Sequence, residues 1–247
     1  MKNIILISLF FAILVVGIFI SLPSSWNINN IATAQDLDMA DLKDSRDKKK
    51  RFFDFMRPII NDENAKVLAL RKELIDAKNN NNNKAFVAKT AESYKVSWEE
   101  GSEDWDTLLK RVNSIVPELA LAQSANESAW GQSRFAQQGN NFFGQWCYKK
   151  GCGIVPDKRK KGSKHEVAKF DSVNDSVRSY IKNINTGDAY QPLRNVRNKN
   201  KVAGKKPSAH AQAGGLIKYS ERREEYVKEI RAMIKANEKL MQENQSL

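Results

Sequence analysis

The alternation of apolar and polar positions divides this chain before any single side chain is weighed. Residues 4–22, IILISLFFAILVVGIFISL, carry no charge. The run is nearly long enough to span a bilayer and long for the apolar part of a secretory signal. A buried core helix would show a polar face, which this run lacks. Further on comes Ala32-Thr33-Ala34-Gln35, an A-x-A cleavage pattern. The gap between the two is longer than usual for a signal peptide. The chain therefore reads as exported, either cleaved after Ala34 or held by residues 4–22 as an uncleaved anchor in the inner membrane.

Beyond that point the periodicity is mostly helical. Residues 35–47 are polar and acidic and read as a flexible stalk. Residues 48–77 place Phe52, Phe53, Met56, Ile59, Ile60, Leu70 and Leu74 at helical spacing, with Pro58 expected to separate two helices. Asn79 to Asn83 form a low-complexity linker. Helical spacing resumes over 84–96 and 104–116, and Pro117 fits the first position of a helix that carries Glu127. From 140 to 170 glycines recur and 165–170 alternates weakly, which predicts a small β-hairpin lobe. Ser172-Val173-Asn174-Asp175 is a capping pattern before an apolar-periodic run over 177–184. A break covers 199–207, and Ser220 is expected to cap a last helix running to about Met241. The fold class is mainly α (α+β). The expected division is 1–34 signal or anchor, 35–83 stalk, helical extension and linker, 84–241 folded domain with its leading helices, and 242–247 tail.

Charge and cysteines narrow the setting. The chain has 247 residues and a formal net charge of +12. Such a chain favours an acidic polymer or surface. Export makes nucleic acid an unfavourable assignment and, for a bacterial protein, makes the cell wall the acidic polymer at hand. Cys147 and Cys152 are the two cysteines. Five residues apart with Gly151 between, they suit a small disulfide-closed loop in an oxidising periplasm. They are poor for zinc, having no local histidine partner. The two histidines, His165 and His210, are far apart in sequence, and no metal or cofactor is expected.

Glu127 is the residue around which chemistry can be argued. At about 100° per residue, Gln123, Ser124, Trp130 and Gly131 share its face, while Ala122, Ala125 and Ala129 lie behind. Most helix glutamates are plain surface residues. A carboxyl beside an indole, however, has its pKa raised by desolvation and can act as a proton donor near neutral pH. Gly131 would leave room for a bulky substrate.

Three motifs add a resemblance. Asn126-Glu127-Ser128-Ala129-Trp130-Gly131, then Ser133-Arg134-Phe135-Ala136, then Asn140-Asn141-Phe142-Phe143-Gly144 are similar to the bacterial cell-wall glucosaminidase family. Gln145-Trp146-Cys147, the 167–172 and 176–180 stretches, Tyr219-Ser220-Glu221-Arg222 and Tyr226 resemble its Bax-type branch. The likeness covers roughly 112–237. It implies a lysozyme-like helical fold with a small β-lobe beside a glycan cleft. It implies hydrolysis of the β-1,4 bond after N-acetylglucosamine in peptidoglycan, with Glu127 as general acid and Tyr219 lining the cleft. The family's second carboxylate, where present, sits in the β-lobe; this sequence departs from the family pattern there, and the candidates Glu166 and Asp157 lie in no recognisable motif. Trp130, Phe143 and Trp146 are expected to offer sugar-stacking faces, and Asn140, Asn141 and Gln145 polar contacts. Phe142 and Tyr180 read as packing residues. One carboxylate suffices if the substrate's own acetamido oxygen attacks the anomeric carbon, with Tyr219 as the catalytic residue that orients or polarises the acetamide; a second carboxylate would direct water instead. Three other readings stay open: a glycan-binding module of the same fold, a membrane-tethered scaffold, and a lytic transglycosylase.

Overall fold

The computed structural model describes residues 31–157, 159 and 162–242. The apolar run 4–22, and with it the expected signal or anchor, lies outside the described residues. So do Lys158, Lys160 and Lys161 and the tail after Gln242. Among the described residues no helix is long and apolar enough to cross a membrane.

The described chain is helical apart from one three-stranded sheet, as a mainly α, lysozyme-like fold requires. Helix α1, Ser45–Asn80, begins where the Asp44 carboxylate accepts from the Arg46 and Asp47 amides at 2.7 and 3.3 Å. It runs unbroken through Pro58, so the expected division into two helices is corrected. An internal proline costs about 3 kcal/mol. Continuity places Phe52, Phe53 and Met56, before the proline, and Ile59 and Ile60, after it, in one core. Burial of such side chains stabilises by about 1.5–3 kcal/mol each, which outweighs the proline. The asparagine run is no linker either. Asn81 and Asn83 take left-handed backbone, φ 47° and 54°, and make a tight turn into α2, Lys84–Ser93. Helix α3, Trp105–Arg111, follows and is shorter than the pattern suggested. The far half of α1 packs on these two through Leu74, Ala77, Val87, Ala91, Leu108 and Val112.

Helix α4, Pro117–Glu127, starts with proline at its first turn as expected. Every residue from Leu119 to Ala125 is buried, so α4 is a central helix with no solvent face along that length. It packs against α1 and against α9, Glu224–Gln242. Short α5, Arg134–Gly139, is capped by the Ser133 hydroxyl. Helix α6, Val173–Thr186, is capped by Ser172, and its Val173, Val177, Tyr180, Ile181 and Ile184 face the core. Helices α7, Gln191–Val202, and α8, Ala209–Ala213, complete the bundle. The break expected from residue 199 begins only after Val202. Helix α9 starts later than Ser220, because Arg223 turns left-handed at φ 47° and stops a helix from passing through it.

Two buried charges pin α1 to its neighbours. Arg57 donates to the Leu240 and Met241 carbonyls at 2.6 and 3.1 Å, satisfying the open end of α9. Glu63 accepts a two-pronged bond from Arg178 of α6, both contacts at 2.9 Å.

The β-lobe is a three-stranded antiparallel sheet rather than a simple hairpin. Strand β3, Glu166–Ala168, lies between β1, Trp146–Cys147, and β2, Gly153–Ile154. Trp146 pairs with Val167 on one edge and Ile154 pairs with Val167 on the other.

The expected stalk is also corrected at its start. The Val173 amide donates to the Ala32 carbonyl at 2.7 Å, and the Ala32 amide to Asn174 Oδ1 at 3.0 Å. The Ala34 amide donates to Asn140 Oδ1 at 2.8 Å, and Gln35 Nε2 to the Gln137 carbonyl at 3.0 Å. Ala34 and Leu37 are buried, and Leu37 occupies the space where a side chain on Gly131 would stand. Residues 32–37 are thus a strap laid over α5 and the start of α6. Their polar composition conceals backbone bonding that leaves no periodic signature.

Candidate active site

Glu127 is the last residue of α4. The chain turns away immediately after it. Ser128 Oγ donates to the Ser124 carbonyl at 2.6 Å and accepts from the Gly131 amide at 2.7 Å. Ala129, Trp130 and Gly131 all take left-handed backbone, φ 50°, 57° and 79°. Helical projection past residue 127 therefore fails. Trp130 does not stand on the glutamate's face by helical spacing. It lies edge-on against Phe52 and Phe53, centroids 5.5 and 5.4 Å away, with the Lys49 ammonium over its ring at 5.5 Å.

Other groups surround the carboxyl. Gly144, at φ +62°, lies so close that an added Cβ would stand 3.3 Å from Glu127 Oε2. Tyr226 and Asn126 are the polar side chains that act on the Glu127 carboxyl. Glu127 is half-buried. Burial pushes its pKa above the ordinary carboxylate value; Tyr226, Asn126 and the charge of Arg222 pull it part of the way back, and Glu229 adds to the rise.

Around this carboxyl runs a closed circuit of side chains. Tyr180 Oη donates to Gln123 Oε1 at 2.7 Å, and Gln123 Nε2 donates to Tyr226 Oη at 3.0 Å. Tyr226 stacks on Tyr219, 5.3 Å between centroids and 11° between planes. Tyr219 Oη donates to the Phe143 carbonyl at 2.9 Å, and Phe143 stacks on Tyr180 at 4.0 Å and 11°. Burial raises the pKa of all three tyrosines, so they remain neutral hydroxyls able to donate. The packing expected of Tyr180 is present, and it also carries a hydrogen bond the sequence did not suggest. Gln123 was legible only as a polar residue one turn before Glu127 on a helix otherwise built for burial.

Several residues expected to face sugar are built into the fold. Asn140 accepts from the strap and donates to the Phe170 and Asp171 carbonyls at 3.0 and 3.2 Å. Asn141 donates to the Gln145 and Ala168 carbonyls and accepts from the Phe143 and Gln145 amides. Gln145 donates to the Ser176 carbonyl and accepts from the Ser179 hydroxyl. Phe143 is 2% exposed. Turn and core construction is what holds these four in place. Trp146 differs: it is 55% exposed and stacks on His165 at 4.0 Å and 14°. It follows Gly144 by two residues, so its Cα lies within about 7 Å of that glycine.

The candidate second carboxylates have partners of their own. Glu166 accepts from the Gly151 and Gly153 amides at 3.0 and 2.9 Å, which hold its pKa below the ordinary value. Asp157 is exposed and pairs with Arg134 at 3.2 Å. Cys147 and Cys152 form the expected disulfide, Cα atoms 6.2 Å apart. Their sulfurs and the Glu166 carboxylate lie within 4.8 Å of one another, but sulfurs joined to each other are not thiolate ligands.

Comparison with known proteins bears on this arrangement. Residues 102–239 match the family model described as mannosyl-glycoprotein endo-beta-N-acetylglucosaminidase. The chain is 30% identical over 228 residues to Protein bax of Escherichia coli (strain K12), across 90% of this chain and 81% of that protein. No solved structure matches it.

Proposed function

Because the chain belongs to the mannosyl-glycoprotein endo-beta-N-acetylglucosaminidase family, we propose that it is an exported peptidoglycan hydrolase, with Glu127 as general acid. The bond cut is the β-1,4 link after N-acetylglucosamine. The observation that carries this reading is a half-buried helix-end carboxyl whose pKa is raised by desolvation and whose neighbours include buried phenols.

In the first step protonated Glu127 gives its proton to the glycosidic oxygen as the bond from the anomeric carbon breaks. The carbon then needs an electron pair. Glu166 spends both oxygens on backbone amides, and Asp157 is paired with Arg134. This favours attack by the substrate's own acetamido oxygen over a protein carboxylate. Water afterwards opens the resulting ring, giving its proton to the Glu127 carboxylate and restoring the acid. Tyr219 stands in the circuit beside Glu127 with its hydroxyl held on the Phe143 carbonyl. It would shape the wall of the site rather than move a proton. Exposed Trp146, two residues from Gly144, is suited to stack on a sugar ring.

The test is a digest of purified sacculi read by mass spectrometry after borohydride reduction. Fragments ending in reduced N-acetylglucosamine are expected, and Glu127→Gln should lower their yield by about 100-fold or more while leaving thermal unfolding unchanged. Anhydro-muramic ends would reassign the reaction to a lytic transglycosylase. Wall binding without fragments would reassign the chain as a binding module.

A further inference from the structure

Gln123 is fully buried one turn before Glu127, and its amide is the junction of the circuit. Proton counting sets the direction of its bonds. A tyrosine has one hydroxyl proton, and Tyr180 gives its proton to Gln123 Oε1. The amide nitrogen then faces Tyr226 and can only donate, so Tyr226 Oη accepts. The Tyr226 proton is then free for another acceptor, and the Glu127 carboxyl is the acidic group that acts on this hydroxyl. With the amide turned over, Tyr226 would give that proton to Gln123 and would show lone pairs to Glu127. A half-buried carboxylate would then lose a donor.

We propose that Gln123 and Tyr226 are positioning residues for Glu127: the amide, set by Tyr180, aims the Tyr226 hydroxyl at the carboxyl and holds it in the rotamer that lays Oε2 against Gly144. This deepens the general-acid reading and rests on it. One carboxyl oxygen receives a fixed hydrogen bond, so the acidic proton is carried by the other and is presented in one direction. When that proton leaves, the new carboxylate already has a donor in place, and no reorganisation is needed at that moment. The other ionisable groups acting on Glu127 are Arg222 and Glu229, themselves paired at 2.6 Å, and the Tyr180 and Tyr219 hydroxyls. Tyr219 directs its proton to the Phe143 carbonyl and serves as the internal control.

The experiment titrates Glu127 itself by NMR in full-length protein carrying carboxyl-13C glutamate, the signal being identified by its loss in Glu127→Gln. Tyr226→Phe removes the donor, and about tenfold tighter proton binding at Glu127 is expected. Gln123→Glu presents only acceptors to the two tyrosines, drawing the Tyr226 proton away, and the titration should move in the same direction. Tyr219→Phe should leave it in place. An unmoved titration in Tyr226→Phe overturns the proposal, as does an equal shift in Tyr219→Phe, which would make the circuit mere packing. If Gln123→Glu fails to fold, the two tyrosine variants still decide. On sacculi, Tyr226→Phe should lower kcat and carry the alkaline limb of the pH profile upward, with KM held. If the wild-type chain cuts no glycan while the titration shifts as expected, the catalytic reading falls and the positioning geometry stands.

Discussion

Glu127 and Gly144 are close enough that one methyl group would disturb them. A Cβ at residue 144 would sit 3.3 Å from Glu127 Oε2 on a backbone at φ +62°. Gly144→Ala is expected to cost about 1–2 kcal/mol of stability from left-handed strain. It should also lower turnover about tenfold by shifting the carboxyl a few tenths of an ångström. An enzyme assay and a denaturant melt of the same preparation check both. The pH dependence follows from the same residue. A general acid works only while protonated, and burial raises the Glu127 pKa, so activity should persist above the ordinary carboxylate range and fall as pH rises through the raised value. At this scale the sequence singled out Glu127 but not its company. Helical spacing places Trp130 beside Glu127, but the helix ends three residues before it. Asn140, Asn141 and Gln145 are amides of the kind that bind sugars, and pattern alone does not tell that their donors and acceptors are spent within the chain.

The loop between β1 and β2 is closed by one carboxylate and one covalent bond. The amides of Gly151 and Gly153 both point at Glu166, and Cys147–Cys152 closes the same loop. Because the folded pKa of Glu166 is lowered, its bonds contribute fully above the ordinary value near 4.5 and are lost as pH falls through the lowered one. Amide protection over residues 148–153, taken relative to the intrinsic exchange rate at each pH, is therefore expected to fall on acidification. Glu166→Gln should show the lower protection at neutral pH, with a far smaller loss of turnover than Glu127→Gln; a loss as large would return Glu166 to the chemistry. The elements themselves were unevenly legible. Helix α4 announced its start through Pro117, and α6 through Ser172. In α1 the local rule for proline was overridden by apolar residues on both sides of it, a balance that only the packed core reveals. The asparagine run looked like low-complexity spacer, but two of its members supply the left-handed backbone a tight turn requires.

On the scale of the whole molecule, residues once expected to lead up to a domain are part of it. The first half of α1 shares a core with α4, α6 and α9, and the strap at 32–37 crosses the back of the Trp130–Gly131 turn. A chain beginning at Gln35 would lose the three hydrogen bonds that tie Ala32 and Ala34 to Val173, Asn174 and Asn140. At about 1 kcal/mol each, that is a loss of about 3 kcal/mol, or about 6–12 °C in Tm for a domain of this size. Comparing melts of chains starting at Ile31 and at Gln35 checks this; equal melting temperatures would show the strap to be ornamental. There is also a consequence in time. Ala32-Thr33-Ala34 is the stretch a signal-cleaving protease would have to hold extended in its own groove, and in the folded chain those same peptide groups are engaged by Val173, Asn174 and Asn140. Were the chain cut after Ala34, cutting and folding would compete for one segment of backbone, and the faster of the two would decide whether the folded chain keeps residues 32–34.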